Sequence, residues 1–196
     1  MLENIEYWGD FMLHSYNMFV LGIGFSEALE LSDKERKRLL DGILLHDIGK
    51  FTIKKEILYS SEMTKNQKEI VKTHPLNGFD MVKAKVGPDV LTCILFHHER
   101  WNGSGYPFGL DGEKIPYMSR IVALLDVYET MVSGRFYQEP KKKEEVLEFI
   151  EKEAGELFDP NLTMKFVEFM KKNDIEMQIG CRPTAKAMEV FNNDIK

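Results

Sequence analysis

The chain holds five histidines, His14, His46, His74, His97 and His98. Asp47 follows His46 directly, at the end of an apolar run that includes Leu44 and Leu45, and Asp126 lies between Leu125 and Val127. Imidazole and carboxylate are costly to bury beside such neighbours unless something takes up their polarity. A divalent metal ion suits both groups at once. For His46-Asp47 alone, a satisfied core histidine followed by a C-capping aspartate stands equally open. His14 by itself reads as a helix-surface or core residue, and His74 as a helix-end residue helped by the macrodipole. His97-His98 is harder to explain that way, because adjacent helical residues point about 100° apart and each then needs its own partner.

The spacing favours the metal. The first four histidines fall 32, 28 and 23 residues apart, and Asp126 follows His98 by 28. With helices of about 11–12 residues and connections of about 2–8, such an interval is one trip up and one trip down a bundle. Each candidate then returns to one level of the interior, as in the metal sites of helix bundles. Five imidazoles with two carboxylates exceed one tetrahedral ion and suit two ions bridged by Asp47, about 3.5–4 Å apart. A nitrogen and oxygen set without thiolate suits Fe, Mn, Co, Ni or Zn.

The elements that must position these groups are helical. A first helix is expected over residues 3–30, where Gly22 and Gly24 weaken it or admit a close neighbour. Ser32 to Glu35 has the form of a capping box opening a helix to His46, and Thr64 to Gln67 repeats it for a helix up to about His74. Pro75 and Pro88 each restart the chain as first-turn prolines, the second for a helix to His98. Residues 99–116 form a long ordered loop with four glycines and two prolines. Helices return over 117–132, 144–153 and 161–172, and a short closing helix is expected over 184–193. No stretch alternates as a strand would, so the fold class is all-α, a helical bundle. Residues 1–172 form the domain and 173–196 a tail.

Composition narrows the classes. At 196 residues, 43% hydrophobic and 30% charged, the chain is long enough to bury a core without staples. A net charge of −6 argues against a nucleic-acid groove binder. No run is long enough for a membrane span, and Cys93 and Cys181 form no CxxC, so they read as reduced thiols of a cytoplasmic protein.

His46-Asp47, with His14 upstream and Asp126 downstream, resembles the HD superfamily of metal-dependent phosphohydrolases. The segment from His97 to Pro107, with Gly105-Tyr106-Pro107, resembles more specifically the HD-GYP subfamily, which hydrolyses cyclic di-GMP. The similarity runs from about His14 to Pro160. It implies an HD-type bundle with a long Gly-Tyr-Pro loop. It implies that His14, His46, Asp47 and Asp126 hold one ion, and Asp47, His74, His97 and His98 the second, Fe or Mn before Zn, Ni or Co. Some members hold a third ion through a Glu four residues before the first His; that position here is Asp10. Lys50 and Arg135 match positions that contact substrate phosphates. Gly105, Tyr106 and Pro107 shape the ligand loop, with Tyr106 placed to pack on a guanine, and Arg100 joins the candidate substrate-binding residues.

Four departures stand out: Asn102 for the usual Asp, Glu129 for the usual Asp, Phe136 for a common Pro, and Gln138 at an occasional basic position. None removes a ligand. The implied activity is metal-assisted hydrolysis of cyclic di-GMP to pGpG and on to GMP, with Asp47 and Lys50 as catalytic residues. The alternatives are another cyclic dinucleotide or nucleotide as substrate, and a non-catalytic cyclic-dinucleotide or partner-binding module. GGDEF-type cyclases or sensor domains are the implied protein partners.

Overall fold

In the computed structural model, nine α-helices follow one another among the described residues, which are 3–60, 62–134, 139–175 and 177, with side chains from residue 11 onward. They are α1 (Glu3–Ala28), α2 (Asp33–Leu45), α3 (Lys55–Leu58), α4 (Lys65–Val71), α5 (His74–Val82), α6 (Pro88–Phe96), α7 (Tyr117–Ser133), α8 (Lys143–Lys152) and α9 (Pro160–Lys172). Short 3-10 turns occupy Ile48–Thr52 and Gly112–Lys114. The described residues form no strand, only two isolated bridges, Asn102 with Asp111 and Ala154 with Phe158. None of the described helices is long and apolar enough to cross a membrane. The expected closing helix over 184–193 lies outside the described residues.

Both capping boxes form. Ser32 and Thr64 accept from the backbone N–H three residues on, and Glu35 and Gln67 reach back to the cap N–H. α1 stops at Ala28, short of the expected residue 30, because Glu30 turns left-handed at φ 55° and Leu31 N–H bonds back to Ser26 O.

The core is the seam of α1, α2, α7 and α9. Phe25, Phe166 and Tyr128 meet edge to face, Phe166 lying 5.1 Å from each of the other two rings, around fully buried Leu21, Ile43, Leu124 and Met170. Gly22 admits the close neighbour that its position suggested, Ile43 of α2. α2 also packs on α6, and α6 on α5 and α7, so α1, α2, α5, α6 and α7 surround one interior space. The candidate ligands point into it.

Candidate metal centre

Three of the histidines sit at or just past a helix end, and each uses the carbonyls that the helix leaves unbonded there. His46 follows α2 and its Nδ1–H donates to Ile43 O at 2.7 Å. His97 follows α6 and its Nδ1–H donates to Ile94 O at 2.9 Å, with Cys93 O at 3.1 Å. His74 opens α5 and its Nδ1–H donates to Val71 O at 2.7 Å. Pro75 lacks the N–H that would otherwise continue α4 onto that carbonyl, which is why the chain breaks before His74 rather than after it. His74 thus opens α5 while its ring holds the last carbonyl of α4, the helix-end position that the sequence suggested.

A carbonyl only accepts, so these bonds fix the proton on Nδ1 and turn a bare Nε2 inward. Nε2 of His74 lies 3.2 Å from Nε2 of both His97 and His98, and Nε2 of His14 lies 3.2 Å from that of His46. Burial, with the neighbouring His46 and His74, pushes His97 down to about 4. Burial with His97 and His74 holds His98 well below the usual range. Imidazole nitrogens converging at this distance can take a divalent cation among them.

His97 and His98 correct one expectation. α6 ends at Phe96, so the pair leaves the helix and does not diverge; the rings lie 4.1 Å apart and share His74 as neighbour.

Asp47 stands between two groups of histidines. Oδ1 is 3.2 Å from His74 Nε2 and 3.7 Å from His97 Nε2. Oδ2 is 3.4 Å from His46 Nε2, 3.9 Å from His14 Nε2 and 2.5 Å from Lys50 Nζ. Burial opposes its ionisation, but Lys50 and His46 outweigh that and hold the carboxyl well below its ordinary range. It makes no capping bond at the start of the Ile48–Thr52 turn, and Oδ1 is buried without a well-formed hydrogen bond. The C-cap of α2 is His46, so Asp47 is not the capping residue either.

The ligand atoms fall into two clusters, each within 4.8 Å: Asp47, His74, His97 and His98, and His14, His46 and Asp47. Both need Asp47, and together they can hold metal. Asp126 stands at the edge of the second, with Oδ1 3.3 Å from His14 Nε2. Burial opposes its charge, but the contact with His14 outweighs this and keeps it well below the usual carboxylate range.

The loop after His98 is pinned from inside by Glu99, whose buried carboxylate accepts from Phe108 N–H at 2.8 Å and Leu110 N–H at 3.0 Å. Gly105 packs on Glu99 so closely that a Cβ would meet its Cα at 2.4 Å. The Tyr106-Pro107 peptide is cis, and Tyr106 stacks on His98 with centroids 4.7 Å apart and planes 20° apart. One face of the tyrosine expected to take a guanine is thus covered by a candidate ligand. Arg100 donates to the carbonyls of His97 and Glu99 and braces the turn. Asn102 faces outward, with Oδ1 accepting from Ser104 N–H and Nδ2 donating to Glu156 at 3.0 Å.

Two buried residues escaped the sequence reading as functional supports: Glu99, quoted only as part of a motif, and Glu129, noted only as a departure. Glu129 Oε2 lies 2.5 Å from His14 Nδ1. An acid one turn after Asp126, in an otherwise apolar helix, was the available signal. Asp10 lies in α1 one turn before His14, but its side chain is outside the described residues, as are Arg135, Phe136 and Gln138 entirely.

A family profile described as HD domain matches residues 21–162, most of the chain. The chain belongs to the HD domain family. A cyclic di-GMP phosphodiesterase of Thermotoga maritima is 39% identical over 132 residues, 65% of this HD domain chain and 36% of that protein. The chain spans between about a quarter and two fifths of the length of the curated relatives it matches. Bd1817, described as an HDG"Y"P protein from Bdellovibrio bacteriovorus, has the same fold, with a TM-score of 0.67 at 22% identity over 81% of this chain and 51% of that one. A V. cholerae cyclic GMP-AMP specific phosphodiesterase, V-cGAP3, superposes with a TM-score of 0.63 at 25% identity, covering 91% of this chain and 48% of its own.

Proposed function

We propose that this HD domain is a metal-dependent phosphodiesterase of the HD-GYP type that hydrolyses cyclic di-GMP to pGpG, with GMP from a second cut. The observation that carries the reading is Asp47, whose two oxygens are divided between two groups of inward imidazoles. The Thermotoga maritima relative named for this activity supports the substrate. His14, His46, Asp47 and Asp126 would hold one divalent ion, and Asp47, His74, His97 and His98 the other. The nitrogen and oxygen donor set agrees with Fe or Mn, with Zn, Ni and Co as further candidates. Asp10 is the candidate ligand of a third.

When bound, such ions supply Lewis acidity and an activated water for in-line attack on phosphorus. The chain's own residues do the rest. The Nδ1 hydrogen bonds hold three imidazole rings in the ligating tautomer. Lys50, about a third exposed and paired with Asp47, offers its ammonium to charge that grows on the phosphate. Arg135 is assigned the same task from the resemblance alone. Tyr106 holds His98 by its ring face, while Glu99 and Arg100 keep the Gly105-Tyr106-Pro107 loop against the site.

A second reading keeps the chemistry and changes the base. The likeness to V-cGAP3 over most of this chain favours a mixed cyclic dinucleotide as an alternative substrate. We take residues 1–172 as the domain. The free, buried Cys93 suits a cytoplasmic setting, and GGDEF-type cyclases or sensor domains are the protein partners the resemblance implies.

The test is anaerobic incubation with Mn²⁺ or Fe²⁺ and a panel of cyclic dinucleotides and mononucleotides, with products resolved. We expect pGpG from cyclic di-GMP, and no turnover by Asp47→Ala, whose circular dichroism stays helical. Full activity in that variant would sink the mechanism. Failure to cleave any cyclic dinucleotide would move the assignment to a binding module.

A further inference from the structure

The two halves of the centre differ in what stands behind their histidines. On the His74 side, the Nδ1 groups of His74 and His97 donate to neutral backbone carbonyls. On the other side, His46 likewise donates to a carbonyl, Ile43 O, but His14 Nδ1–H faces the carboxylate of Glu129 at 2.5 Å. Glu129 is 1% exposed, and its second oxygen accepts from Asn17 Nδ2 at 2.9 Å. That amide also donates to Ser133 Oγ at 3.2 Å, fixing the carboxylate between α1 and α7. Both carboxylate oxygens therefore accept, and the His14 ring is held by a charged acceptor rather than a dipole. A carboxylate behind a ligating histidine raises the basicity of the ring more than a carbonyl does.

A second carboxylate stands on the same side, Asp126, with Oδ1 3.3 Å from His14 Nε2.

We infer that the two half-sites are unequal and fill in order, with Glu129 as a positioning residue that makes the His14, His46, Asp47 half the tighter. The inference rests on the two-ion reading above and concerns affinity, not turnover.

The experiment is titration of the full chain, stripped with chelator, by Mn²⁺, with the free ion followed by electron paramagnetic resonance. Wild type should bind its first equivalent at least about tenfold tighter than its second. His98→Ala should keep the tight equivalent and lose the weak one. Glu129→Gln should weaken the first equivalent about 10–100-fold and leave the second within about threefold. Should the glutamine variant not fold, Glu129→Asp keeps the charge but draws it back from His14, and the first equivalent must weaken there too. Two equal equivalents in wild type, a Glu129 variant that folds and binds as wild type does, or equal weakening of both equivalents overturns the inference while leaving two ions in place. A wild-type chain that takes up no Mn²⁺ overturns the two-ion reading itself.

Discussion

Gly49 packs directly on the carbonyl of His74: a Cβ at Gly49 would lie 1.9 Å from that oxygen and 2.5 Å from Gly78 N. This contact sets the Ile48–Thr52 turn on the first turn of α5 and so brings Asp47 Oδ1 to 3.2 Å from His74 Nε2. The obstacle is backbone, which cannot rotate away. We expect Gly49→Ala to cost about 3 kcal/mol or more, the upper range for overpacking, and to separate the two ligands. Urea denaturation together with metal content checks it; a variant with wild-type midpoint and two bound ions would contradict the packing argument.

Tyr106 meets His98 through its ring, not its hydroxyl. Tyr106→Phe should therefore keep metal content and most of the turnover. Tyr106→Ala removes the stack, worth about 0.5–1.5 kcal/mol for an aromatic pair, and should loosen the His74-side ion. Metal analysis of the two variants decides between ring and hydroxyl.

Glu99 accepts two backbone N–H groups with two oxygens. Glutamine offers one acceptor and turns an N–H₂ toward the other donor, leaving a buried N–H unsatisfied at about 1–3 kcal/mol. Glu99→Gln should thus free the loop around Phe108 and Leu110, seen as faster amide exchange there, while α1, α7 and α9 keep their protection.

Alkali should unfold the domain through two buried acids. Burial, with Asp89 nearby, pushes the Cys93 thiol up to about 12. Burial, with Glu144 nearby, pushes the Tyr128 phenol up to about 12 as well. Unfolded, the groups ionise near about 8.5 and 10. A folded pKa above the unfolded one gives stability that is whole below the unfolded value and drains as pH rises toward the folded one. We expect Tm to fall steadily between pH 9 and 12, and to fall less steeply in Cys93→Ala. An unchanged slope in that variant would remove Cys93 from the account.

Much of the fold was legible along the chain because its signals are local. Ser32 and Thr64 with their acids three residues on open helices wherever they stand, and apolar period alone gives α7 and α9. Helix ends were less legible. α6 stops at Phe96, not at His98, and Glu30 ends α1 from a left-handed conformation that its residue type does not announce.

By itself the sequence determined the helical class, the histidine inventory and the spacing that returns each ligand candidate to one interior level, since these depend on residue type and on distance along the chain. Only the tertiary structure decided which oxygen of Asp47 faces which imidazoles, that Tyr106 backs His98, and that Glu129 stands behind His14 across 115 residues. Those relations depend on helix rotation and on contacts such as Gly49 with His74, which arise only when distant segments pack and which no local pattern records.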